Sequence, residues 1–120
     1  MNKICTSIEQ SKKLIELGID VNTADMFWLT TDKPRLHVLV ENLEKYSRWD
    51  CMPAWSLSAL LELIPTSIDE YTEDFSQLEL TKCSVSYVYA NGNLRKGFLK
   101  DNFFDAAFEM IVWLKENNKL

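Results

Sequence analysis

One histidine, three cysteines, a shortage of basic charge and the absence of a long apolar run set the first limits on this 120-residue chain. Cys5, Cys51 and Cys83 are an odd number with no Cys-x-x-Cys pair, a pattern of neither a zinc site nor a disulfide framework, so reduced thiols and no metal are expected. His37, the sole histidine, cannot build a metal cluster by itself. With no Gly-x-Ser-x-Gly element or paired acid beside it, it reads as a half-exposed strand residue. No segment approaches the ~20 apolar residues that span a bilayer. Met1 to Ser7 lacks the apolar core of a signal peptide, which makes the cytoplasm the default compartment. Thirteen Lys and Arg against eighteen Asp and Glu give a net charge of −5. Non-specific nucleic-acid affinity comes mainly from Lys and Arg neutralising phosphates, and Lys12-Lys13 and Arg95-Lys96 are too short to reverse the balance. Direct nucleic-acid binding is not expected.

What is present is an ordinary globular composition, 47% hydrophobic and 26% charged. A chain of this length fits one domain, residues 1–120, and buries roughly 65% of its unfolded surface without a metal or disulfide. Its least polar stretch, Pro53-Ala-Trp-Ser-Leu-Ser-Ala-Leu-Leu-Glu-Leu-Ile-Pro65, reads as a central helix bounded by prolines, since proline suits the first helical turn and cannot continue the ladder further on. Leu57, Leu60, Leu61 and Ile64 recur at helical spacing, with Trp55, Ala59 and Leu63 beside them. Its expected partner is a last helix capped by Asn102, whose Phe104, Ala107, Phe108, Ile111 and Leu114 form a buried stripe.

The flanking segments alternate in type. Ser7-Ile-Glu-Gln10 is a capping box, so a first helix runs from about Ile8 to Leu17, and Gly18-Ile19 resembles a left-handed C-terminal cap. Asp20-x-Asn22 begins like a calcium loop, but Asp25 stands where the glycine belongs and Thr31 where the bidentate Glu belongs. Gly18 to Asn22 with Lys33 to His37 looks like parts of an ankyrin repeat, yet no second copy follows. A helix cap and an Asx-type turn are the plainer reading. Met26–Thr31 and Arg35–Val40 form a hairpin around Asp32-Lys33-Pro34, although Leu36 to Tyr46 also matches helical spacing. Leu78 to Lys100 carries further strands, with Asn91-Gly92 as a type I′ turn and Val85, Tyr87 and Tyr89 on the face turned to the helices.

Candidate functional residues are few. Arg48, Trp49 and Asp50 lie in the polar stretch Glu41–Cys51 just before the central helix, and aromatic and Arg side chains are enriched at binding hot spots. For Trp49 a lid folded back on the core is the preferred reading, because single exposed apolar residues need no functional explanation. Trp55, at the head of the central helix, reads mainly as a packing and helix-start residue against the Phe104 to Leu114 stripe, with a direct binding role as the alternative. Thr66 to Asp74 is the most acidic part of the chain. Nothing supplies companion groups for catalysis there, and Ile68, Tyr71 and Phe75 suggest a short turn with a solvated acidic face.

Three stretches together resemble a set of short proteins from gut Bacteroides-type genomes and their phages and mobile elements. They are Cys5-Thr-Ser-Ile-Glu-Gln-Ser-Lys-Lys-Leu14 with Gly18 and Thr23-Ala-Asp-Met26, then Pro53-Ala-Trp-Ser-Leu-Ser-Ala-Leu-Leu61, and Asp105-Ala-Ala-Phe-Glu-Met110 with Trp113-Leu114. The order covers nearly the whole chain. The resemblance implies recognisable first, central and last helices with variable segments between, favours the hairpin over Met26–Val40, and implies no activity, substrate or catalytic residue.

The fold expected is α+β, one compact domain with an antiparallel sheet and about three helices packed on one face. The leading function is a small cytoplasmic interaction or accessory module with a protein partner and no cofactor, working through a surface such as Arg48, Trp49 and the neighbouring acidic loop. A nucleic-acid-associated regulator acting through a partner or as an acidic mimic is the alternative. An enzyme is a third, disfavoured because groups for nucleophile–base or metal sites are sparse.

Overall fold

A computed structural model of the chain describes residues 4–29, the backbone of 35–38, and residues 51–120. Its contacts divide the chain into two units, Met1–Ala59 and Leu60–Leu120. Among the described residues the fold is α+β, with three α-helices and two antiparallel sheets.

In the first unit, helix α1 spans Ile8–Glu16, and the capping box is complete: the Ser7 hydroxyl accepts from the Gln10 N–H while the Gln10 side chain accepts from the Ser7 N–H. The helix stops at Gly18, whose φ of 88° closes a Schellman turn. Ile19 N–H donates to Leu14 C=O and Gly18 N–H to Ile15 C=O, and Leu14 and Ile19 are both buried, as the apolar contact of that motif requires. The Asp20 carboxylate accepts from the Asn22 N–H at 2.9 Å and starts a single 3₁₀ turn, Val21–Thr23, which is the Asx-type turn expected.

Strands β1 (Met26–Leu29), β2 (Arg35–Val38) and β3 (Cys51–Ala54) follow, in the order β2-β1-β3. The expected hairpin is present, with Met26 opposite Val38 and Leu29 opposite Arg35. His37 stands in β2 opposite Phe27, and the rest of the helical alternative, from Leu39 onward, lies outside the described residues. Strand β3 is a correction. Pro53 does not begin a helix but sits in this strand opposite Phe27. Strand β3 closes an edge of the sheet, where a residue without an N–H is tolerated.

The central helix is consequently shorter than the two prolines suggest. Helix α2 spans Leu57–Leu63, starting where Ser56 can cap it and ending before Pro65. Of its apolar residues Ala59 and Leu60 are buried, whereas Leu57, Leu61 and Leu63 remain half-buried.

The second unit contains β4 (Ser67–Ile68), β5 (Ser76–Leu80), β6 (Ser84–Tyr89) and β7 (Leu94–Leu99), paired in sequence order, and helix α3 (Phe103–Glu116). The short strand β4 stands at the head of the acidic segment, where only a helical turn is expected from the spacing. Asn102 caps α3 by accepting from the Asp105 N–H at 2.8 Å. The anticipated stripe, Phe104, Ala107, Phe108, Ile111 and Leu114, is buried, together with Ala106 and Met110. Its main packing is against β6 and β7 rather than α2. Val85 and Tyr87 meet it from the sheet with no exposed surface, on the face assigned to them from the alternation.

The β6–β7 turn differs from the type I′ form in an instructive way. Only Gly92 has a positive φ, 88°, while a type I′ turn needs two such residues. Gly92 N–H donates to Tyr89 C=O and Tyr89 N–H to Asn93 C=O, the pattern of a type I turn over Ala90 and Asn91 followed by a glycine bulge. The Asn91 side chain stabilises it by accepting from the Asn93 N–H at 2.9 Å. A Cβ at Gly92 meets nothing within 4 Å, so Gly92→Ala isolates the backbone cost. Urea unfolding should show a loss of about 1 kcal/mol, and an unchanged midpoint would disprove this assignment of the turn.

Candidate functional site

Two polar clusters stand out, one in each unit. In the first unit, residues distant in sequence converge on the segment between β3 and α2. Thr6 N–H donates to Trp55 C=O at 2.9 Å, and Trp55 N–H donates to the Thr6 hydroxyl oxygen at 3.0 Å. That hydroxyl also shares a 2.8 Å hydrogen bond with Ser11, which satisfies two polar side chains that are completely buried. Trp28 donates its indole N–H to Thr6 C=O at 2.9 Å, and Trp55 donates its own to the Thr23 hydroxyl at 2.8 Å.

The same cluster contains a cysteine, a serine and a carboxylate, the residue types of nucleophilic catalysis. Ser56 donates its N–H to Asp25 Oδ1 at 2.8 Å and its hydroxyl to Asp25 Oδ2, while its Oγ accepts from the Ala59 N–H at 3.2 Å. This is a reinforced helix cap. Asp25 fixes the Ser56 rotamer, and Ser56 satisfies an otherwise orphaned N–H at the start of α2. Cys5, bridged to Ser56 through the backbone, is 6% exposed. Burial and then the Asp25 carboxylate push its thiol up to about 11, so at neutral pH it is a protonated, weak nucleophile. Chemically the cluster is a staple, holding the N-terminal segment, β1 and the start of α2 together.

Trp55 belongs to this staple. It is fully buried with its indole N–H occupied, which accords with the packing reading of this residue. Arg48, Trp49 and Asp50, the other sequence-based binding candidates, lie outside the described residues.

The second cluster is centred on Asp69. Its Oδ1 accepts from Lys119 Nζ at 2.8 Å. Its Oδ2 is buried and lies 2.6 Å from Arg95 Nη1, a close ion pair without hydrogen-bond alignment. Lys119 and then Arg95 hold the Asp69 carboxyl below the usual carboxylate range. Arg95 Nη1 also donates to Asp74 C=O at 2.8 Å and to Ser76 Oγ at 3.3 Å. The segment between Asp69 and Phe75 is wired internally as well. Thr72 Oγ1 donates to Asp69 C=O at 2.7 Å, Asp74 N–H donates to Thr72 Oγ1 at 3.2 Å, and Ser67 Oγ donates to Glu70 Oε1 at 2.7 Å.

This wired loop presents Tyr71 with its surface 100% exposed and its backbone at φ 69°. A bulky side chain in the left-handed region is an outlier that costs about 1 kcal/mol. Glu70, Thr72, Glu73 and Asp74 around it are exposed too. The spacing of Ile68, Tyr71 and Phe75 suggests one helical face; instead Ile68 is buried, Phe75 half-buried and Tyr71 wholly outside. Beside the loop is an open cavity of about 440 Å³ lined by Thr72, Glu73, Phe75, Tyr89, Ala90 and Asn91. No sequence signal marks Tyr71 as special, because its conformation depends on Arg95 and Lys119, far along the chain.

Among the described residues no helix is long and apolar enough to cross a membrane, and no three His, Cys, Asp or Glu side chains group as metal ligands. No protein-family model matches the chain, and no curated protein or solved structure does so.

Two measurements test these clusters. Asp25→Ala removes a charged acceptor from two donors and should cost about 2 kcal/mol in chemical denaturation; a change within error would mean the staple bears no strain. Asp69 itself sits at φ 55°, so Asp69→Asn keeps a residue tolerant of positive φ and removes the charge. Because the folded carboxyl titrates below its unfolded value of about 3.9, its contribution is complete above that pH and disappears as pH falls below it. The parent should therefore lose stability more steeply than the variant on acidification below about pH 4. Parallel denaturation curves for the two would contradict the clamp.

Proposed function

We propose that the protein is a small interaction or accessory module whose contact surface is the acidic loop from Asp69 to Phe75, and that it binds a basic segment of a partner protein. The observation that carries this reading is Tyr71, a fully exposed aromatic ring held on strained backbone. Folding does not explain it. The ring buries nothing, and glycine or asparagine would take the same φ at lower cost. Tyrosine is enriched at binding hot spots, and a loop already fixed in place loses little conformational entropy on association. Exposed Glu70, Glu73 and Asp74 surround the ring, in a chain whose net charge is already −5. Complementarity then selects a cationic partner and speeds its approach.

The test separates contact from stability. Tyr71→Gly relieves the positive-φ strain while adding freedom to the unfolded chain, effects of similar size, so stability should stay within about 0.5 kcal/mol of the parent. A photo-cross-linking residue at position 71 should trap a partner whose linked peptide, mapped by mass spectrometry, is rich in Lys and Arg. Binding of that purified partner should weaken at least tenfold in Tyr71→Gly, as hot-spot truncations do. Loss of more than about 2 kcal/mol of stability would make the ring structural, and undiminished binding would remove the loop from the interface.

A further inference from the structure

Beside the Tyr71 loop, the open cavity of about 440 Å³ is lined by an acid, Glu73, by two aromatic residues, Phe75 and Tyr89, and by Ala90 and Asn91 of the β6–β7 turn, with Thr72 completing it. Its volume lies toward the small end for ligand pockets, which suits one long side chain better than a cofactor. We infer that this cavity is a receptor for an arginine side chain of the partner, an inference that rests on the interaction reading above and specifies its chemistry.

Glu73 is exposed, and no hydrogen bond or ion pair among the described residues engages its carboxylate. Its acidic neighbours are committed in part: Asp69 to two cations, and Glu70 to the Ser67 hydroxyl. Among the described residues the Asp74 carboxylate is uncommitted as well, its N–H and C=O alone being engaged, but of the two acids Glu73 is the one that lines the cavity, together with Phe75 and Tyr89. Phe75 and Tyr89 are both half-buried, so their rings are supported by the fold while a part of each remains accessible. A guanidinium is planar and weakly hydrated, stacks on aromatic faces, and meets a carboxylate through a fork of N–H donors; an ammonium is compact, strongly hydrated and stacks less well. A site that offers rings and a carboxylate together therefore favours Arg over Lys.

The cavity is also fixed in shape. One wall is the loop whose Asp74 carbonyl is held by Arg95. The other is the bulged turn closed by the Tyr89, Gly92 and Asn93 backbone hydrogen bonds. Both are anchored on neighbouring strands, with Ser76 paired to Tyr89 across β5 and β6, so binding requires little reorganisation.

The experiment is an NMR titration of the ¹⁵N-labelled full chain with three blocked pentapeptides, Gly-Gly-X-Gly-Gly, where X is arginine, lysine or citrulline. The arginine peptide should shift amide signals of residues 72–75 and 89–91 in a saturable way. Lysine should bind more weakly, and citrulline, an uncharged near-isostere of arginine, should bind weakest of all. Glu73→Gln should lower the arginine affinity about fivefold, the scale of an exposed ion pair. Equal shifts from arginine and citrulline, shifts centred elsewhere, or an unaltered affinity in Glu73→Gln would each overturn the inference. A partner that depends on Tyr71 while the arginine peptide ignores the cavity leaves the interaction reading standing and removes only the pocket. Binding of the peptide with a partner indifferent to Tyr71→Gly does the reverse.

Discussion

The Asp69 carboxylate, gripped by Lys119 on one oxygen and Arg95 on the other, is the constraint on which the surface of the second unit depends. Exposed ion pairs contribute little to stability because solvent screens them and their side chains must be ordered. This one differs in the number of groups it joins. Arg95 comes from β7, Lys119 follows the C-terminal end of α3, and Asp69 follows β4, so a single carboxylate ties the acidic loop to a strand and to the segment after a helix. Arg95 then reaches past Asp69 to the carbonyl of Asp74 and the hydroxyl of Ser76. Five groups share one arrangement, and the backbone between them has little freedom left. That is how a tyrosine can be kept in a left-handed conformation that it would not choose by itself.

The end of α3 shows how local caps prepare this arrangement. Asn118, at φ 57°, closes a second Schellman-type turn, in which Lys119 N–H donates to Leu114 C=O and Asn118 N–H to Lys115 C=O. The turn leaves Lys119 placed to meet Asp69. The charge pair therefore does not have to order a flexible lysine on its own; the cap has already fixed its backbone. In the first unit the same economy holds with neutral groups. Thr6, Ser11, Thr23, Asp25 and Ser56 use hydroxyls and one carboxylate to join three segments, and Trp28 and Trp55 supply both buried surface and N–H donors.

Local sequence rules recovered the elements they govern. The capping box at Ser7, the glycine cap at Gly18, the Asn102 cap and the stripe from Phe104 to Leu114 are all decided within a few residues, and all stand in the structure. Pro53 was legible only as a residue that avoids helix interiors, a rule that a first helical turn and an edge strand obey equally. Which of them applies is decided by pairing with β1, a non-local contact. The turn at Asn91-Gly92 differs for a related reason: the dipeptide permits two positive φ angles, but a type I turn closed by a glycine bulge requires only one, at Gly92. Trp55 carries the ambiguity of large aromatics, which mark both cores and hot spots, so its sequence admits a packing and a binding role together. Burial separates the two roles, and burial is not written in a single sequence.

The Tyr71 surface lies at the far end of that scale. Its acidic neighbours were plain in the sequence, and a solvated face was the economical explanation for them. What distinguishes this loop from an ordinary solvated one is the coincidence of four independent facts: full exposure of an aromatic ring, positive φ on a residue that disfavours it, an internal hydrogen-bond network, and an uncommitted carboxylate beside aromatic walls. A solvated loop needs none of these. Strain at Tyr71 is sustained by the clamp at Asp69, and rigidity lowers the entropic cost of whatever binds. Stability and recognition are in this way linked through one carboxylate: the clamp that contributes modestly to folding sets the shape of the surface that meets the partner.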